Sequence, residues 1–327
     1  MNAPHFICLT ALLASSLLGA SAIQADTDDW LQIVTHDIPY RLLETDLPFS
    51  VEYNERVQDE LSSYLRTGRR ETEIMLGRTP QYFPIFEHYL KVYRLPDALK
   101  YIPLLESRLK PAITSASGAV GLWQFMPATA KGLGLRINDY VDERQSPYQV
   151  TEAAVRYLAK LHDRFEDWGL ALAAYNCGPG RVKRALERSG CTTFWDIQHH
   201  LPRQTQQYLP RIIATIYVGH HFKEHGLRPK KHKYQAGHFR VFRIHHSVDL
   251  TEVARYCKLD LSWLRALNPG YLDLYTPKME APHYLILPEQ ALSHFAQYIN
   301  KESRKAGTEY AIAVLDSQWK NVDLRDL

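Results

Sequence analysis

Glu106-Ser107, Gly121-Leu122-Trp123-Gln124-Phe125-Met126 and Ala174-Tyr175-Asn176 set one carboxylate among amide, aromatic and thioether side chains. A sugar ring has apolar faces and a hydroxyl rim. Aromatic and thioether groups suit the faces, and Gln124 and Asn176 can each donate and accept at an N-acetyl group or a hydroxyl. The chemistry this combination suits is acid cleavage of a glycan. Taken singly, Glu106-Ser107 also describes a solvated helix end, and Trp123 or Phe125 reads as a core residue.

The elements that must position these groups have their own signals. Leu95-Pro96-Asp97 reads as a helix start, with proline at the first helical position and an acid in the first turn. Leu99, Ile102 and Glu106 follow at steps of three and four, so the carboxyl closes an apolar stripe; Pro103 is expected to bend the last turn. A carboxyl turned toward apolar neighbours favours its neutral form, as a general acid requires. Ser115, Ser117 and Gly118 read as a flexible connection, and Pro127-Ala128-Thr129-Ala130 starts a new helix. Ala171 to Asn176 is a small-residue helical run suited to close packing on the Glu106 helix, and Gly178-Pro179-Gly180 stops it.

In order and spacing, Glu106-Ser107, Gly121-Leu122-Trp123-Gln124, Ala174-Tyr175-Asn176 and Tyr208-Leu209-Pro210 resemble the four motifs of the soluble-lytic-transglycosylase (SLT) catalytic domain, which is goose-type lysozyme-like. Leu95-Pro96, Tyr101-Ile102-Pro103, Asn176-Cys177-Gly178-Pro179-Gly180-Arg181-Val182 and Phe194-Trp195-Asp196-Ile197 resemble its murein transglycosylase D branch. The likeness spans about Tyr82 to Phe222. It implies Glu106 as sole catalytic acid/base and Ser107 as a positioner of substrate or of that carboxyl. Gln124, Met126, Tyr175 and Asn176 would line glycan subsites, and Tyr208 would approach the Glu106 carboxyl. Gln204-Thr205 stands where relatives usually have Glu-Thr, which removes a charge near the fourth motif and reads as tuning.

Ordinary glycosidases use two carboxyl groups about 5 to 9.5 Å apart. The motif set here offers one, and the nearest acidic cluster, Asp139, Asp142 and Glu143, reads as a solvated loop before Ser146-Pro147. The reaction expected of one glutamate is non-hydrolytic cleavage of the MurNAc-GlcNAc β-1,4 bond of peptidoglycan, leaving a 1,6-anhydro end. No cofactor or metal enters it. A lysozyme-type hydrolase of the same fold and a catalytically weak wall-binding scaffold are the alternatives.

The 327-residue chain carries a formal charge of +3, too little for strong nucleic-acid binding and compatible with an anionic cell wall. Ile7 to Leu18 is an apolar run too short to span a bilayer, ending at Gly19-Ala20-Ser21-Ala22. Residues 1–22 thus read as a signal peptide, and export to the periplasm, peripheral to the outer membrane or cell wall, follows. No Lys or Arg precedes the run, and Cys8 lies at its start rather than after it, so it is not placed as a lipoprotein cysteine. Its removal leaves Cys177, Cys191 and Cys257, an odd number matching no zinc spacing; a Cys177 to Cys191 disulfide is compatible with the compartment. The adjacent pairs among the fifteen histidines, His199-His200, His220-His221 and His245-His246, point about 100° apart on a helix and read as surface or core residues.

Sequential helical runs without alternating strands give a mainly α fold. Residues 23–80 are read as an N-terminal helical brace, with Val57, Leu61, Tyr64 and Leu65 on one face, and 81–226 as the catalytic domain, in which Gln149 to Phe165 forms a strong helix. Residues 227–236 form a basic, solvated linker. Residues 237–290 follow a β-α-α-β order resembling a LysM module, a degenerate one because Ser247-Val248-Asp249 replaces the usual Gly-Asp-Thr. The tail, 291–327, contains a strand candidate at Glu309 to Leu315 without an identified partner.

Overall fold

The structure, a computed structural model, describes residues 37–231, 239–278, 283–307, 313–315 and 321–323. The expected signal peptide, the end of the linker and the start of the Glu309 segment lie outside the described residues. The described residues up to Thr45 belong to one compact unit and those from Asp46 onward to a second. Within the first unit, α1 (Ile38–Glu44) has a proline in its first turn.

The second unit opens with α2 (Glu55–Ser62), whose first turn is capped by Asn54 accepting from the Val57 N–H at 3.2 Å. The helix continues as a π-helical turn over Ser63–Thr67, so the apolar face carrying Val57, Leu61 and Leu65 outlasts the α geometry. After Gly68 come α3 (Arg69–Leu76) and α4 (Thr79–Val92). The predicted helix at Pro96 is a 3-10 segment, Asp97–Tyr101, followed by α5 (Ile102–Ser107). Pro103 therefore opens α5 rather than bending its last turn, since a first-turn residue has no intrahelical N–H bond to lose.

Next in order are α6 (Pro127–Gly132), α7 (Pro147–Phe165), α8 (Trp168–Cys177) and α9 (Pro179–Ser189). Then follow α10 (Phe194–Ile197), α11 (Arg203–Gln206) and α12 (Tyr208–His221). Phe86, Trp123, Leu158, Ile213 and Tyr217 are wholly buried at the centre. The small-residue helix α8 packs chiefly on α7 and α9, and α12 packs on both α8 and α5. The expected pairing of α8 with the Glu106 helix is thus mediated largely by α12.

The backbone after α12 is pinned to α3, in contrast to a free linker. Leu227 is buried, the Lys230 N–H donates to the Glu73 carbonyl at 2.9 Å, and the Arg228 N–H to its carboxylate at 3.1 Å. Arg228, Pro229, Lys230 and Lys231 are exposed.

The C-terminal domain comprises β1 (Phe239–Ile244), β2 (Val248–Asp249), α13 (Leu250–Tyr256), α14 (Leu261–Leu267), β3 (Tyr275–Thr276) and β4 (His283–Pro288). Asp249, in the altered Ser-Val-Asp stretch, caps α13 by accepting from the Thr251 and Glu252 N–H groups. The core continues past residue 290: α15 (Leu292–Ala306) contributes Phe295, Tyr298 and Ile299. Strands β5 (Ala313–Leu315) and β6 (Asn321–Asp323) complete an antiparallel sheet of order β4-β1-β5-β6. The partner of the tail strand is therefore β1, with Val241 opposite Leu315.

Catalytic and C-terminal domains share a seam. Val141 sits in the C-terminal core, the Asp142 N–H donates to the Gly270 carbonyl at 2.9 Å, and the Leu272 N–H to the Tyr140 carbonyl at 2.9 Å. A Cβ on Gly270 would lie 2.0 Å from Ser146 Oγ, which explains the glycine. Gly270→Val is expected to cost about 1 to 3 kcal/mol through this clash. Thermal unfolding would read it as a lower midpoint, with the seam's amides losing hydrogen-exchange protection first.

Candidate active site

Glu106 lies in the last turn of α5, which ends at Arg108 in the left-handed region; Leu109 follows with φ +56°. Two successive non-glycine residues at positive φ are strained, and they swing the chain sharply away from the helix. The Glu106 carboxyl is half-buried between α5 and α12 and accepts a hydrogen bond from the Tyr208 hydroxyl. Desolvation pushes its pKa up from 4.5 to about 7, while the Tyr208 hydrogen bond and then the Arg211 guanidinium oppose that rise. Burial wins, so the carboxyl is poised as a proton donor near neutrality. Arg211 stands one turn beyond Tyr208, and its Nε is 3.2 Å from a carboxylate oxygen of Glu60 on α2. Glu60 on α2 thereby tempers the cation that, among the described residues, acts on Glu106.

Ser107 is buried, and its hydroxyl donates to the Pro103 carbonyl at 2.9 Å, one turn back in its own helix. Trp123 is wholly buried, with its indole N–H donating to the Thr151 hydroxyl at 3.0 Å and its ring edge-on to Phe86. Phe125 is also core. Met126, 42% exposed, is the member of this motif that offers an apolar surface.

Gln124 holds φ +50°, and its amide N–H donates to the carbonyls of Gly121 at 2.9 Å and Ile113 at 3.3 Å. The amide nitrogen braces the loop, leaving the amide oxygen to accept from a ligand. The Tyr175 hydroxyl donates to the Trp123 carbonyl at 2.6 Å, and burial together with the nearby Glu106 charge raises its pKa. Tyr175 therefore stays protonated and ties α8 to the Gln124 loop. Asn176 Oδ1 accepts from the Thr205 hydroxyl at 2.9 Å. Its amide nitrogen is left to donate outward. Gln204 itself is exposed on α11, and Thr205 is buried beneath it.

The acidic cluster departs from the expected solvated loop. Asp142 and Glu143 are each only 6% exposed and locked to arginines: Asp142 accepts from Arg144 Nε at 2.9 Å and Nη2 at 2.7 Å, and Glu143 pairs with Arg136. Arg144 also donates to the Gly118 and Phe125 carbonyls at 3.3 and 3.4 Å, clasping both ends of the Gln124 loop. Gly121 has no room for a side chain, because a Cβ would come within 1.8 Å of the Arg144 carbonyl. Sequence reading missed Arg144, Thr205 and Arg211 as parts of the site. The mixed-charge run Asp142-Glu143-Arg144 before Ser146-Pro147 is the available signal, since opposite charges so close can neutralise one another on burial. Cys177, Cys191 and Cys257 are free thiols, so the Cys177 to Cys191 pairing does not form.

Glu106 supplies a stability signature. Its carboxyl binds a proton more tightly in the folded chain than at the ordinary value of 4.5, so its favourable contribution is full below pH 4.5 and lost as pH rises through about 7. Glu106→Gln is accordingly expected to gain about 1 to 3 kcal/mol over the parent above pH 7 and to lose that advantage below pH 4.5. Urea unfolding at pH 4 and pH 8 measures it.

Residues 83–198 match the family described as transglycosylase SLT domain, and residues 238–304 the LysM-like domain of lytic transglycosylase MltD. The membrane-bound lytic murein transglycosylase D of Escherichia coli K12 is 29% identical over 271 residues, covering 80% of this chain and 58% of that protein. The chain thus spans a little over half the length of that relative. The peptidoglycan transglycosylase gp16 of Escherichia phage T7 is 42% identical over 88 residues, 26% of this chain and 7% of that one. The crystal structure of the 70 kDa soluble lytic transglycosylase Slt70 from Escherichia coli aligns with a TM-score of 0.39 at 20% identity, covering 54% of this chain and 32% of that one.

Proposed function

We propose that this chain, which carries a transglycosylase SLT domain followed by an MltD-type LysM-like domain, is an exported peptidoglycan lytic transglycosylase in which Glu106 acts alone as acid and then base. The observation that carries the reading is a desolvated carboxyl, held by Tyr208, whose charged neighbour among the described residues is Arg211 rather than a second acid. Asp142 and Glu143 are spent in buried ion pairs and offer no nucleophile or base.

The neutral Glu106 carboxyl gives its proton to the glycosidic oxygen as the bond from that oxygen to C1 breaks. The substrate's own N-acetyl oxygen stabilises the positive C1. The resulting Glu106 carboxylate then takes the proton from the 6-hydroxyl of the same sugar as O6 bonds to C1, which restores the neutral acid. No water is consumed, so the product end is a 1,6-anhydro sugar. Gln124 and Asn176 present an acceptor and a donor to the glycan, and Met126 an apolar surface.

Glu106→Gln is expected to slow release of anhydro ends from purified sacculi by about 10²- to 10⁴-fold or more. Mass spectrometry of the parent's products checks the reaction type: ends one water heavier than the anhydro form would mean hydrolysis. The pH profile of kcat/KM should fall on its alkaline side through about 7 as Glu106 loses its proton. Tyr208→Phe removes a hydrogen bond that lowers the Glu106 pKa, so this limb should move to higher pH in a stopped assay across pH 5 to 9.

A further inference from the structure

A cavity of about 510 Å³ opens beside the candidate site, a size that suits a small ligand or peptide segment. One wall is the Lys110 to Ile113 stretch that leaves the catalytic helix, and the facing wall is Ala266, Leu267 and Pro269 at the end of α14. The cavity therefore exists only because the C-terminal domain is docked through Gly270 and Asp142. Its lining is mostly apolar, with the cations Arg78 and Lys110 and no acidic residue among the described residues that border it.

Position couples the cavity to the chemistry. Leu109 borders it and lies three residues after Glu106, so their Cα atoms are at most about 11 Å apart at about 3.8 Å per residue. On the other side, Ile113 borders it while its carbonyl accepts from the Gln124 amide at 3.3 Å and from the Gly121 N–H at 3.0 Å. The cavity thus adjoins, through Ile113, the loop that would hold the glycan, and is joined to the acid by the three residues that follow Glu106. The strained left-handed pair Arg108 and Leu109 directs the chain from one to the other.

A bare sugar does not explain this lining, because even a muramyl unit with a free lactyl carboxylate has no extended apolar body to lie on Ala112, Ile113 and Leu267. The chemistry fits a short peptide with small apolar side chains and free carboxylates, its methyl groups on Ala112, Ile113 and Leu267 and its carboxylates toward Lys110 and Arg78. In the substrate proposed above, that group is the stem peptide borne by the muramyl sugar. An extended stem of four residues reaches about 13 Å, enough to enter from a sugar seated at Glu106. Resting on the peptidoglycan reading, we propose that this interdomain cavity is a stem-peptide subsite, so that the C-terminal domain selects which sugars along a strand are cut.

Ala266 is exposed on α14, so Ala266→Trp fills the cavity without disturbing the core, and Lys110→Glu reverses the rim charge. The full-length variants and the parent are assayed on glycan strands with stems and on the same strands stripped by an amidase. Binding of free stem peptide is followed in parallel by saturation-transfer NMR. The expected result is a KM raised about tenfold for stem-bearing strands in both variants, unchanged kinetics of Ala266→Trp on stripped strands, and loss of the peptide signal. Equal loss on both substrates would make the cavity a sugar subsite or a structural seam and overturn the proposal. Variants matching the parent on every substrate and in peptide binding would overturn it too. A parent that binds peptide at the cavity but cuts neither strand would instead refute the catalytic reading while leaving the peptide site standing.

Discussion

Two unlike demands meet at the Glu106 carboxyl. Protein packing strips it of water and favours the neutral acid, while the Tyr208 hydroxyl donates to it and favours the anion. A carboxyl that must both give and take a proton needs both influences, because full burial alone would leave a poor base and full solvation a poor acid. The two residues come from α5 and α12, so the contact between those helices sets the distance on which the chemistry depends. Arg108, in the left-handed region, ends α5 just past the acid, and the Ser107 hydroxyl bonds back to the Pro103 carbonyl within that last turn.

The N-terminal helices belong to the same electrostatic unit. Arg211 is the cation able to depress the Glu106 pKa, and Glu60 on α2 sits against it. Tyr64, from the π-helical turn after α2, bonds the Thr215 hydroxyl on α12 at 2.9 Å, one turn beyond Arg211. What reads in the sequence as a brace therefore also fixes the element that carries Tyr208 and offsets its neighbouring charge. The Arg211 side chain is partly exposed, so its influence is screened and remains smaller than burial.

Glu106, its apolar stripe and the helical runs around it are legible because they rest on local periodicity, which the chain carries within ten or twenty residues. The C-terminal strands and helices are legible for the same reason. Asp142 and Glu143 are not: whether a charged loop is solvated depends on what covers it, and here Gly270, more than a hundred residues on, supplies the cover. The role of Ser107 is hidden likewise, since a serine at a helix end can face a ligand or its own backbone, and only the geometry decides. Tyr208 and Asn176 gain meaning from partners on other helices, Glu106 and Thr205, that no window of sequence brings together. The strand at Ala313 lacks a visible partner in sequence because β1 lies some seventy residues before it.

The Asp142-Arg144 pair turns the domain seam into part of the site. A buried ion pair of this kind stabilises little by itself, because desolvating both charges offsets their attraction. Its value lies in geometry: the bidentate carboxylate fixes the guanidinium plane, and the remaining nitrogen reaches the Gly118 and Phe125 carbonyls at the two ends of the Gln124 loop. The same Asp142 is held from the other side by Gly270. Gly270 and the Gln124 loop thus belong to one hydrogen-bonded network, joined through the Asp142 backbone, its carboxylate and the Arg144 guanidinium. That also explains why the loop tolerates three departures from ordinary backbone, at Gly118, Gly121 and Gln124, which an unclasped loop would relax away.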